Sequence, residues 1–125
     1  MAWTAPNDDV IVQEGVFMYG YECSGTVVGG QPVYALGTMQ AKGLTAESNS
    51  FVGVAAYPQT NGNMLGVYGP GNVVRGIVSG TAVAAGDKVS PTASGWKDAT
   101  ALISANAIAL ESQSTDGGTI RLLLI

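Results

Sequence analysis

The chain has 125 residues and a mass of 12.7 kDa, is 46% hydrophobic and only 11% charged, and carries a formal charge of −4. Its size fits one domain, and an acidic field repels polyphosphate rather than collecting it, which argues against a nucleic-acid partner. With no histidine and a single cysteine, Cys23, it holds no Ser-His-Asp or Cys-His couple, no His- or Cys-based zinc site and no internal disulfide.

The first residues, Met1 to Asp9, have neither a basic stretch nor an apolar core. No cleavable export signal is expected, and synthesis is assigned to the cytoplasm. No apolar run approaches the ~18 residues of a membrane-spanning helix, so no membrane partner is expected. Residues 1–24 read as an N-terminal arm followed by an entry strand. In the arm, Trp3 and Pro6 share a segment of little charge. A Trp on a Pro-stiffened arm has the chemistry of an interface anchor, and a Trp folded back over its own barrel mouth is the other reading. Asp8-Asp9 reads as a solvated turn, since no calcium-loop spacing follows. In the strand Val16 to Tyr21, a period of two puts Val16, Met18 and Gly20 on a face suited to a core. Phe17, Tyr19 and Tyr21 form an aromatic row on the other, available to a partner. Cys23 has no basic neighbour to activate it and reads as a buried or incidental thiol rather than a nucleophile.

From Gly25 onward, turn signals recur at short intervals: Gly29-Gly30, Asn61-Gly62, Pro70-Gly71, Gly86-Asp87, Ser94-Gly95 and Asp116-Gly117-Gly118. Runs rich in Val, Ile, Thr, Tyr and Phe lie between them, the pattern of an all-β fold, a small β-barrel or β-sandwich. Gly66 to Gly71 has neither the spacing nor the following helix of a phosphate loop. Trp96 reads as a loop-tip aromatic with a local packing role. Ala99 to Ala107 is rich in Ala but lacks an amphipathic stripe and a cap, so at most one short helical turn is expected there. Asp116-Gly117 reads as a hairpin turn. In the closing strand, Ile120, Leu122 and Leu124 point one way while Arg121, Leu123 and Ile125 point the other. A strand apolar on both faces is normally covered on both. Either Leu123 and Ile125 meet another subunit, or they cap the end of the barrel.

The chain also resembles itself. Gly25-Thr26-Val27-Val28 and Gly30-Gln31-Pro32-Val33 match Gly80-Thr81-Ala82-Val83 and Gly86-Asp87-Lys88-Val89. Val54-Ala55 matches Ile108-Ala109, and Gly62 to Val67 matches Gly118 to Leu123, at offsets of 54 to 56 residues. Residues 25–125 are expected to form a single β domain, with repeat halves 25–69 and 80–125 supplying each other's core.

Arg75 to Gly80, Val83 to Val89, Ala107 to Glu111 and Asp116 to Leu122, with Phe51 to Ala56 in the first half, resemble the capsid cement and decoration proteins of tailed bacteriophages. The resemblance spans roughly residues 25–125, and the aromatic entry strand and the Trp3 arm depart from it. It implies a non-enzymatic virion protein, without cofactor or metal. Such a protein, commonly a homotrimer, binds the major capsid protein on the outer surface of the assembled head and holds the shell against internal DNA pressure. The residues expected at capsid or subunit contacts are Trp3, Pro6, Phe17, Tyr19, Tyr21, Leu123 and Ile125. A different class of function is a receptor- or glycan-binding module of a viral tail fibre or cell surface, with Trp96, Tyr57 and Tyr68 stacking on sugar rings.

Overall fold

The computed structural model describes residues 11–13, 18–44, 50–80, 82–92, 94–99 and 105–125. Among these residues there are strands and no helix. The first set comprises β1 (Ile11–Gln13), β2 (Met18–Ser24), β3 (Pro32–Gly37), β4 (Gln40–Gly43), β5 (Phe51–Ala55) and β6 (Met64–Tyr68). The second comprises β7 (Val73–Ile77), β8 (Lys88–Pro91), β9 (Trp96–Asp98), β10 (Ala107–Ala109) and β11 (Thr119–Leu124). Ala107, the last residue of the expected helical turn, opens β10, while residues 100–104 lie outside the described residues.

Strands β2-β4-β3-β5-β6 close into a barrel, and β1-β7-β11-β10-β8-β9 form a six-stranded sheet. The second arrangement repeats the first. In the barrel, Tyr21 pairs with Leu65, Val33 with Gly43 and Val54 with Tyr68. In the sheet, Gly76 pairs with Ile120, Val89 with Asp98 and Ile108 with Leu123. β2 closes the barrel by pairing in parallel with β4, Cys23 opposite Ala41. At the equivalent place in the second half a single parallel bridge remains, Val78 to Trp96. The second half is therefore the same barrel, closed at one point, and β1 takes the vacant edge of β7 opposite Val73 and Val74.

The loops repeat as faithfully as the ladders. The Gly25 amide donates to Asn61 Oδ1 at 3.0 Å, and the Gly80 amide to Asp116 Oδ1 at 2.7 Å. Val27 and Gln59 exchange two backbone hydrogen bonds, as do Val83 and Gln113. The Val28 amide donates to Gln31 Oε1 and the Ala84 amide to Asp87 Oδ2. Asp116-Gly117 is a turn as expected, with φ 84° at Gly117, a conformation that costs a Cβ-bearing residue ~1–2 kcal/mol.

One alignment of the repeat needs correction. Gly62 to Val67 pairs with the second half one residue earlier than expected, so that Leu65 corresponds to Ile120 and Val67 to Leu122. The expected register sets buried Leu65 against exposed Arg121. Because side chains alternate with a period of two, a one-residue slip exchanges core and surface.

Each half has an apolar interior. Cys23, Val27, Val33, Ala41, Ala55, Leu65 and Val67 fill the first, with Tyr21 and Val52 packed against them. The larger second core contains Val74, Val78, Val83, Val89, Trp96, Ala107, Ala109, Ile120, Leu122 and Leu124. Val54 of the first half belongs to that second core, and Phe51 meets Trp96 edge to face, ring centroids 5.8 Å apart. The connection between the halves is tied to the last strand: the Gly71 amide donates to the Leu124 carbonyl and the Leu124 amide to the Asn72 carbonyl.

Candidate functional site

The expected contact residues separate into two groups. Trp3, Pro6 and Phe17 lie outside the described residues. Tyr21, on the aromatic face of β2, packs against the first core together with Cys23, whereas Gly20 on the other face is exposed. At Tyr21 the face is thus the reverse of that expected, whereas Tyr19 on the same side of the strand is exposed as expected. Tyr21 stands opposite the buried Leu65 across β2 and β6, on the same side of the strand as Cys23, and so lines the barrel. Tyr19 is 46% exposed and its ring lies over Gly69.

Leu123 and Ile125 are on the outward side of β11, as the alternation requires. Ile120, Leu122 and Leu124 are fully buried, while Leu123 is half-buried and Ile125 is 46% exposed. The ladders add neighbours to Leu123 that lie far away in sequence: Val73 of β7 on one side and Ile108 of β10 on the other. Leu110, two residues beyond Ile108, is also 46% exposed. Sequence inspection missed Val73, Ile108 and Leu110. The repeat had already set Ile108 against Val54, but only the ladder places Ile108 beside Leu123.

Beside this apolar row stands an ionic cluster. Arg75 and Arg121 face each other across β7 and β11, and Glu111 accepts from the Arg121 amide at 2.9 Å and from its guanidinium Nη2 at 3.0 Å. The hydrogen bonds from Arg121 and the positive charge of Arg121 and Arg75 hold the Glu111 carboxyl below its ordinary range. The first half carries an uncharged version of the same arrangement. Gly20 and Gly66 stand where the two arginines do, and the Gly66 amide donates to the Tyr57 hydroxyl at 2.9 Å, in the place of Glu111. Met64, 64% exposed, extends beside Gly20, and Met39 is 62% exposed at the β3–β4 turn.

Trp96 is not a loop-tip aromatic. It opens β9, is 1% exposed and is the largest fully buried side chain. It is therefore unavailable to a sugar ring, and Tyr68 packs against the same core, so Trp96, Tyr57 and Tyr68 do not assemble a stacking platform. Cys23 is buried as expected, and burial pushes its thiol up, away from a nucleophilic thiolate. Among the described residues, no group of three or more Asp, Glu or Cys is placed to hold a metal ion. An open depression of about 400 Å³ is lined by Ala82, Val83, Ala84, Asp87, Ser112, Gln113 and Ser114. Its one carboxylate is already engaged by the Ala84 amide. What the described surface offers chemically is contact area: an apolar row with a charged border.

No protein-family model and no curated protein matches the chain. Among solved structures it is similar to the head fiber gp8.5 N base of bacteriophage phi29. The likeness has a TM-score of 0.59 at 14% sequence identity and covers 87% of this chain and 93% of that one. At such identity the likeness is one of fold.

Proposed function

We propose that the chain is a structural protein of a bacteriophage virion, a decoration or cement subunit that sits on the outside of the head and steadies the shell against internal DNA pressure. The observation that carries this reading is the fold likeness to the base of a phage head fibre, which extends over nearly the whole of both chains. Leu123, Ile125 and their neighbours support it, because a row of half-exposed apolar side chains on a regular sheet is a docking surface without a reaction to perform.

The mechanism is mass action. A protein that binds the assembled shell and not its separated subunits stabilises the shell by RT ln(1 + [L]/Kd), about 2.7 kcal/mol per site at a hundred times Kd. Apolar contact supplies most of the binding, so it survives salt that would dissolve a charge-driven complex. The partners on this reading are the major capsid protein and other copies of the chain.

The test is to mix the purified chain with expanded heads stripped of outer proteins. Saturable co-sedimentation that persists in high salt, with a higher temperature of DNA release, is the expected result. Heads that bind none of the chain would overturn the reading. Binding without any change in release temperature would leave a head-bound base of the kind the similar structure represents, and would remove the cement role.

A further inference from the structure

The turn ahead of β6 and the turn ahead of β11 share one geometry and differ in one chemical group. Thr60-Asn61-Gly62-Asn63 is closed by the Asn63 amide donating to the Thr60 carbonyl at 3.2 Å, and Thr115-Asp116-Gly117-Gly118 by the Gly118 amide donating to the Thr115 carbonyl at 2.9 Å. Gly62 and Gly117 take φ values of 86° and 84°. Each turn is tied by two further bonds to the chain at the end of a barrel-closing strand. The Gly62 amide donates to the Cys23 carbonyl at 2.8 Å, and Asn61 Oδ1 accepts the Gly25 amide at 3.0 Å. In the second half the Gly117 amide donates to the Val78 carbonyl at 2.8 Å, and Asp116 Oδ1 accepts the Gly80 amide at 2.7 Å. The difference is a carboxamide at position 61 and a carboxylate at position 116.

We infer that Asn61 is a spontaneous deamidation site which the folded turn withholds, and whose aspartate product fits the fold. Asn followed by Gly is prone to this reaction because no Cβ shields the glycine nitrogen. The Gly62 backbone nitrogen gives up its proton and bonds to Asn61 Cγ, the Cγ–Nδ2 bond breaks, and Nδ2 leaves as ammonia with that proton. Water then opens the imide at either carbonyl, leaving aspartate or, with the main chain rerouted through Cγ, isoaspartate. Asn61 and Gly62 are both exposed, so access of water does not limit the reaction. Geometry does, because nitrogen and Cγ must first reach attacking distance. The proton to be lost is held by the Cys23 carbonyl, and the carboxamide that must turn toward the nitrogen is held by the Gly25 amide. Both holds lie on one short segment anchored by Cys23, which is 1% exposed, so the tip of the turn has to lift from that segment before the two atoms meet. The aspartate product has a precedent within the chain, since Asp116 makes the same contact at the shorter distance of an ionised acceptor. Isoaspartate has none: its extra main-chain carbon lengthens a turn pinned at both ends.

This inference is independent of the virion reading and is tested on the purified full chain, held in mildly alkaline buffer and followed by mass-spectrometric peptide mapping. A synthetic peptide with the sequence of residues 58–65 gives the open-chain rate. Asn61 in the folded chain is expected to deamidate about tenfold or more slowly than in the peptide, the bonds to Cys23 and Gly25 having to open first. Exchange of the Gly62 amide hydrogen, which requires the same opening, is expected to be retarded as well. Asp116→Asn places a second Asn-Gly in the same set of bonds and is expected to revert to aspartate at a similarly retarded rate; should that variant fail to fold, the wild-type chain decides alone. Asn61→Asp is expected to melt at or above the wild-type temperature at pH 7. Deamidation of the folded chain at the peptide rate overturns the inference, as does a Gly62 amide that exchanges at the open-chain rate. An Asn61→Asp chain that melts clearly below the wild type overturns the fit of the product.

Discussion

Trp96 of β9 occupies in the second barrel the position that Ala41 of β4 occupies in the first, each at the point where a parallel contact closes the sheet. The exchange is compensated on the neighbouring strand. Tyr21 lines the first barrel where the second has Gly76, and a Cβ on Gly76 would lie 2.7 Å from Trp96 Cδ1 and 2.6 Å from Leu122 Cδ1. Each barrel thus admits one large aromatic at this level, delivered from one or the other of the two strands that meet at the closure.

The pairing makes the Trp96 site intolerant in both directions. Trp96→Ala removes the largest core side chain and is expected to cost about 3–5 kcal/mol. Gly76→Ala overpacks and is expected to cost about 1–3 kcal/mol. Combined, the two changes should cost less than their sum, because the added methyl enters the space the indole leaves. Urea denaturation of the four proteins checks this, and strict additivity would contradict the proposed contact.

Glu111 gives a pH signature. Its carboxyl is held low in the folded chain, so its contribution is present above the unfolded carboxylate pKa and is lost as pH falls through the depressed folded value. Glu111→Gln should lower the melting temperature at pH 7. The deficit should close in strong acid and shrink in high salt. The pair is partly exposed, with side-chain exposures of 49% for Arg121 and 34% for Glu111, which limits the effect to about 1 kcal/mol or less.

Asp98 behaves in the opposite sense. Burial, then hydrogen bonding and charge repulsion from Asp87, raise its carboxyl. A raised acid favours folding below the unfolded pKa, and that advantage disappears as pH rises through the folded value. Asp98→Asn should therefore raise the melting temperature at pH 7 by a small margin and leave it unchanged near pH 3. The first half already avoids the repulsion, having Gln31 beside Gly43 at the corresponding positions.

Met39 has φ 53°, the one positive value outside glycine among the described residues. Its carbonyl accepts the Glu22 amide at 2.7 Å and so helps to close the first barrel. Met39→Gly keeps that backbone bond and relieves the left-handed penalty of ~1–2 kcal/mol, partly offset by the entropy of the unfolded glycine. A modest rise in thermal stability is expected; a fall would show that the exposed Met side chain has a packing role.

The all-β class, the turns and the existence of a repeat were legible along the chain, because each is a local signal: Gly-Asp, Asn-Gly and Asp-Gly at bends, and Val- and Ile-rich runs between them. Val54-Ala55 against Ile108-Ala109 was already the true equivalence. The alternation that buries Ile120, Leu122 and Leu124 also followed from a period of two alone. The closing hairpin was misread by one residue, because Gly62-Asn63 and Gly117-Gly118 match in either register until the ladder is known.

What the chain order by itself determined is therefore the kind of element and the two faces of each strand. What only the tertiary structure decided is which face looks inward and what lies beside it. Tyr21 lies inside the barrel opposite Leu65, Trp96 entered the core because Gly76 left room, and Leu123 acquired Val73 and Ile108 as neighbours through hydrogen bonds between distant strands. Volume and register are properties of pairs of strands, and no single stretch of sequence carries them.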